Sequence, residues 1–153
     1  MIRRSTLEAL AALILLVATA TAARAFGCTV STTPINFGGY DTLSHNGASA
    51  VATITYTCFE RTQRVAIGLT KGYASSFAMR EMRTGSHKLA YNLYLDASGT
   101  QIWGDGTGEG QLYVAPAPPP GSRVTVMIFG RIQPGQNATS GRYADDVQVI
   151  LKN

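Results

Sequence analysis

Few side chains in this 153-residue sequence could do chemistry, and their spacing argues against most of it. His45 and His87 could pair with Asp and Ser for hydrolysis, but no nucleophile elbow accompanies them and both stand in polar, turn-like stretches. They read as surface histidines. Asp145 and Asp146 are adjacent, so on a strand they point to opposite faces and cannot work as an acid–base pair. The one that faces inward is expected to accept hydrogen bonds at the strand's mouth. Asp96-x-Ser98-x-Thr100 has the start of a calcium loop, yet Gln101 stands where glycine is required and Thr107 where Glu is required. The run Gly104-Asp-Gly-Thr-Gly-Glu-Gly110 has no following helix pattern and no Lys, so it reads as a turn and not as a phosphate cradle. Trp103 precedes it. With Gly104, Asp105 and Gly106 it forms a candidate adhesive loop, where the indole could stack on a surface glycan or instead pack over the end of a sandwich. Asn137-Ala138-Thr139 fits a glycosylation sequon, which matters only in a eukaryotic secretory route. Neither an enzyme, a cofactor nor a metal site is expected.

Two cysteines, Cys28 and Cys58, allow a single pairing. Their compartment follows from the start of the chain. Arg3 and Arg4, the apolar run Ala9–Ala18 and the small-x-small triplet Ala23-Arg24-Ala25 read as a secretory signal peptide over residues 1–25, cleaved before Phe26. In an exported chain the two cysteines are expected to form a disulfide closing a loop of about 30 residues, worth about 3–4 kcal/mol in the chain-entropy account. A Cys-x-x-Cys motif is missing, and two Cys with two scattered His make no zinc spacing. Removing residues 1–25 lowers the formal charge from +4 to about +2. The basic residues do not cluster with aromatics, so nucleic acid is not an expected partner. No later stretch has the apolar length of a transmembrane helix.

Residues 26–153 have the size of one domain. Charged residues make up only 14% of the sequence, and helical periodicity is weak after the leader. The pattern predicts an all-β fold of short strands. Expected strands run over Cys28–Phe37, Ala50–Cys58, Arg64–Thr70, Leu89–Leu95, Gln111–Ala115 and Arg123–Arg131, with Phe77–Arg83 an irregular stretch that could form a short strand on the surface. The last strand, Gly141–Leu151, places Tyr143, Val147, Val149 and Leu151 on one side. A core strand late in a chain leaves the question of what covers its free edge.

Several residue groups, in this order, resemble one family. They are Cys28-Thr-Val, Phe37-Gly-x-Tyr40-Asp41, Cys58 at a strand end, Arg80-x-Met82, Tyr91-Asn-Leu-Tyr94 and Trp103-Gly-Asp-Gly106. Gly130-Arg-Ile132 with Gln136, and Gly141-x-Tyr143-x-Asp145, complete the set. Together they look like the spore coat protein U domain, a family that includes subunits of archaic, Csu-type chaperone–usher pili. The resemblance implies an immunoglobulin-like β-sandwich that is incomplete, missing its final strand. It implies a periplasmic chaperone, an outer-membrane usher and other pilin subunits as partners, with export by the Sec route to the periplasm and then the cell surface. The acceptor edge would be Tyr143, Val147, Val149 and Leu151. Only Phe26 and Gly27 separate the expected cleavage site from Cys28, so an acceptor-only, terminal (tip) subunit with a role in adhesion or biofilm is the expected position. The alternative is a free-standing coat or carbohydrate-binding module whose edge is closed internally, by a segment such as Gln111–Ala115.

Overall fold

A computed structural model describes residues 27–60 and 64–152. The expected signal peptide lies outside the described residues. All regular structure among them is β: β1 (Cys28–Thr32), β2 (Ala48–Cys58), β3 (Arg64–Leu69), β4 (Arg80–Thr84), β5 (His87–Tyr94), β6 (Tyr113–Pro116), β7 (Arg123–Ile132) and β8 (Val149–Lys152). They form two layers, a five-stranded sheet ordered β1-β2-β7-β5-β4 and a three-stranded sheet ordered β6-β3-β8, all paired antiparallel. This is an immunoglobulin-like sandwich, with the larger sheet curling toward β8. The curl is visible where Arg83 of β4 exchanges both backbone bonds with Ala144, at 2.8 and 3.1 Å.

Period-two alternation builds the core. On β2, Ala52, Ile54, Tyr56 and Cys58 are buried, while Val51, Thr53, Thr55 and Thr57 face out. Facing them from the second sheet are Val65, Ile67 and Leu69 of β3. Cys28 and Cys58 stand opposite each other in the β1–β2 register and are joined by a disulfide.

Three expected strands differ from the observed ones. β1 stops at Thr32 and not at Phe37, because Pro34 has no N–H to give a ladder and the chain then turns inward. Ile35 and Phe37 occupy the space over Gly130, where a Cβ would stand 2.5 Å from Ile35 and 2.7 Å from Phe37. The short strand expected in Phe77–Arg83 is Arg80–Thr84, at the edge of the larger sheet; Ala78, Met79 and Arg83 are exposed, but Phe77, Arg80 and Met82 are buried. A charged residue alternating with Met hid its inward face. The ladder of β8 covers only Val149–Lys152, because β3, its partner, ends at Leu69.

Arg80 ties the layers together. Its guanidinium is fully buried and donates from Nε and Nη2 to Thr70 C=O (3.1 and 3.0 Å), from Nη2 to Trp103 C=O (2.6 Å) and from Nη1 to Asn92 Oδ1 (2.7 Å). Its face lies 5.2 Å from the Phe77 ring. Burial lowers its pKa, with the surrounding tyrosines and acids acting in the other direction. Trp103 carries the link onward: its N–H bonds Leu93 C=O of β5 (2.9 Å), and its indole Nε1–H bonds Ile67 C=O of β3 (2.9 Å).

Two predictions follow from these cross-links. Arg80→Met removes the guanidinium donor from the half-buried Thr70 carbonyl and the buried Trp103 carbonyl, leaves Asn92 Oδ1 with Leu93 N–H alone, and is expected to lower stability by about 3–5 kcal/mol. Urea unfolding of the disulfide-intact protein measures it, and a loss below about 1 kcal/mol would refute the linking role. Cys28→Ser is expected to cost about 2–5 kcal/mol, whereas free-thiol labelling of both cysteines in the exported protein would contradict the bridge.

Candidate strand-acceptor groove

Among the described residues the approach to β8 leaves one edge of the smaller sheet unpaired. Gln148 C=O accepts from Thr70 N–H at 3.0 Å, so Gln148, Ile150 and Lys152 turn their backbone groups toward β3. Ala144, bonded to Arg83, lies on that same side by alternation. Val147, Val149 and Leu151 fall between, so their N–H and C=O groups face the other way. Among the described residues no strand pairs there.

Beside that edge runs a groove of about 1110 Å³. One wall is Ala138–Val149 and the other is Thr32–Thr42. The floor is core: Leu69, Met82, Leu89, Tyr91, Leu93, Ile128 and Ile132 all border it. Tyr143, Val147 and Val149 stand half-buried in the first wall. Leu151 continues the same face beyond the groove, opposite Ile67, and packs on the core.

The inward aspartate is Asp145. Its Oδ2 accepts from the Tyr91 hydroxyl at 2.6 Å, and its Oδ1 accepts from Tyr73 N–H at 2.8 Å. Gly72 makes room for it: φ is +63°, and a Cβ there would stand 2.2 Å from the carboxylate. Burial, then the neighbouring Asp145 carboxylate, raises the Tyr91 pKa far above that of a free phenol. Burial, reinforced by a hydrogen bond to Tyr113, pushes Tyr56 from 10.0 to about 12.

The wall Thr32–Thr42 was not legible as part of the site. Its signal lay in Phe37, Tyr40 and Gln136, which carried the family resemblance without a place. Thr33 N–H still reaches Thr53 C=O at 3.0 Å. Beyond it, Phe37 meets the Tyr91 ring edge-on at 5.8 Å, and Tyr40 donates its hydroxyl to Gln133 C=O at 3.0 Å.

The Trp103 loop lies elsewhere. Trp103 is 0% exposed, and Gly104 and Gly110 are buried beside it. Only the tip, Gly106–Glu109, is exposed, so the loop offers no aromatic face for stacking. Asp105 caps that tip: the Thr107 hydroxyl bonds its carboxylate at 2.6 Å and, as the leading cause, lowers its pKa. His45 is exposed in the loop before β2, and His87 is exposed opposite Thr84. No group of three His, Cys, Asp or Glu able to hold a metal ion occurs among the described residues. Under the alternative reading Gln111–Ala115 would close the free edge; its residues Tyr113–Ala115 lie in β6, which pairs with β3 on the side away from β8.

The model of the Spore Coat Protein U domain matches residues 14–150. The chain belongs to that family. Protein U of Myxococcus xanthus is 28% identical over 129 residues, covering 76% of this chain and 70% of the relative. Among solved structures, a chain of the CsuC–CsuE chaperone–tip adhesion subunit pre-assembly complex, from the archaic chaperone–usher Csu pili of Acinetobacter baumannii, aligns with a TM-score of 0.60 and 17% identity. The alignment covers 82% of this chain but only 39% of that one, and the likeness is one of fold. The minor tip subunit HdaB of the E. coli Hda pilus aligns at 0.45, with 13% identity, over 80% of this chain and 78% of that one.

The tyrosines give an alkaline prediction. The raised pKa of Tyr56 means its neutral form is favoured on folding, so this contribution is complete below pH 10 and is lost as pH rises toward about 12. Absorbance titration is expected to show Tyr56 and Tyr91 ionising only with unfolding; if all tyrosines ionised together near pH 10 in folded protein, their burial would be disproved.

Proposed function

We propose that this protein is a structural pilus subunit that receives a β-strand from a partner chain along Tyr143, Val147, Val149 and Leu151. One observation carries the reading: the unpaired outer edge of these residues runs beside a groove floored by core side chains. A strand laid there would pair with the free N–H and C=O groups and set alternate apolar side chains onto Leu69, Leu93 and Ile128. Family membership and the pilus-subunit fold support it. The proposed donors are a periplasmic chaperone first and a neighbouring subunit later, with an outer-membrane usher driving the exchange. Export by the Sec route after cleavage of residues 1–25, passage through the periplasm and display at the cell surface complete the proposal. The role is assembly and adhesion, with no catalysis. The terminal position is its finest part and rests on the expected cleavage before Phe26, which leaves Phe26 and Gly27 ahead of the disulfide-tied β1.

Burying a large aliphatic side chain is worth about 1.5–3 kcal/mol, and domains are stable by only about 5–15 kcal/mol. An inserted strand with several such residues therefore decides whether the fold persists. The protein alone is expected to aggregate or unfold readily, and to be rescued by a co-expressed chaperone or a donor peptide. Val147→Asp or Val149→Asp is expected to abolish rescue. A monomer at full stability with no added strand would refute the open edge. Immunogold label along whole fibres, in place of fibre ends, would refute the terminal position.

A further inference from the structure

The two walls of the groove are held in different ways. The Asp145 wall is fixed by ladder bonds to β3, by the Arg83–Ala144 bridge and by the Tyr91 hydroxyl. The opposite wall, after Thr33, has left the sheet and has no ladder. Among the described residues it is held by an apolar wedge, Ile35 and Phe37 over Gly130, and by one polar attachment, the Tyr40 hydroxyl.

That attachment leads into the middle of β5. Tyr40 donates to Gln133 C=O at 3.0 Å and accepts from Gln136 N–H at 2.9 Å. The Gln136 side chain then does what a neighbouring strand would do. Its Oε1 accepts from Ala90 N–H at 2.7 Å, and its Nε2 donates to Ala90 C=O at 2.8 Å and to Gln133 C=O at 3.0 Å. β7 ends at Ile132, so the ladder beside β5 has run out and one amide completes it. Glu would lack the donor, and Met would lack both groups. The turn Gln133–Gln136 is thereby locked to β5, and Tyr40 locks the wall to the turn.

We infer that Tyr40 and Gln136 form a latch that positions the Thr33–Asp41 wall and so sets how firmly the groove grips an inserted strand; this rests on the strand-accepting reading above. They are positioning residues and need not touch the donor. Without the latch, the wall keeps its Thr33 bonds to Thr53 at one end and its wedge beyond them, and a bound strand leaves by the side that opens first. Exchange of one donor for another is the step most affected.

The test uses the exported protein, disulfide intact, loaded with a synthetic peptide of about eleven residues alternating valine and threonine. Displacement of a fluorescent copy by unlabelled peptide gives the exchange rate, and urea unfolding of the loaded form gives its stability. Tyr40→Phe and Gln136→Met are each expected to speed exchange about tenfold. Tyr56→Phe is the control, since it removes a buried tyrosine hydroxyl outside the groove. It is expected to leave exchange unchanged at a comparable loss of stability. Wild-type exchange rates in both latch variants, or an equal acceleration in Tyr56→Phe, would overturn the latch while leaving strand acceptance intact. Failure of the wild-type protein to bind any peptide would overturn both.

Discussion

The burial of the Arg80 guanidinium is the constraint on which the rest of this fold depends. A charge taken out of water without an anionic contact is costly unless its donors are satisfied. Here the acceptors are two backbone carbonyls and one amide oxygen, and they come from three different parts of the chain. Thr70 follows β3, Asn92 lies in β5 and Trp103 lies between β5 and β6. Satisfying one side chain therefore fixes the two sheets against each other. Trp103 is consumed in the same link, which is why a tryptophan beside a glycine-rich loop ends up in the core and not at an adhesive tip.

The groove follows from that frame. With β3, β4 and the Asp145 segment pinned by Arg80, Arg83 and Tyr91, the inner faces of both sheets are held apart along one edge. Apolar floor, half-buried aliphatic wall and unpaired backbone lie side by side. Each is unfavourable in water for a different reason, and a single extended strand relieves all of them. Edge strands that stay exposed in independent proteins are usually twisted, charged or blocked by proline. β6 ends in Pro116 and leads into Ala117-Pro-Pro-Pro-Gly121, so that outer edge is blunted. The run into β8 carries no proline, and its apolar residues Val147, Val149, Ile150 and Leu151 outweigh the one charge within the strand, Lys152.

Disulfide and latch act on the other half of the sandwich. The Cys28–Cys58 bond ties β1 to β2 at one end, and the chain crosses out of the sheet only after Thr33. This wall of the groove is thus anchored covalently upstream and by the Tyr40 hydroxyl downstream, with Ile35 and Phe37 wedged between.

Local pattern settled much of this protein. Alternation in Ala50–Cys58, Leu89–Leu95 and Arg123–Arg131 is a property of neighbouring residues, so those strands and their inward faces were readable. Two cysteines left one pairing, and the inward aspartate at the mouth of the last strand followed from two adjacent acids on alternating faces. Tyr143, Val147, Val149 and Leu151 could be placed on one face for the same reason. What the fold alone decided depends on contacts between distant segments. Whether Arg80 lies at the surface or in the core turns on Thr70, Asn92 and Trp103, up to 23 residues away. Whether Trp103 is a platform or a brace depends on Ile67, 36 residues away. The second wall of the groove needed Gly130 to leave a space and Gln136 to stand in for a strand. No local period encodes these meetings, because burial and hydrogen-bond satisfaction are set by which segments the topology brings together.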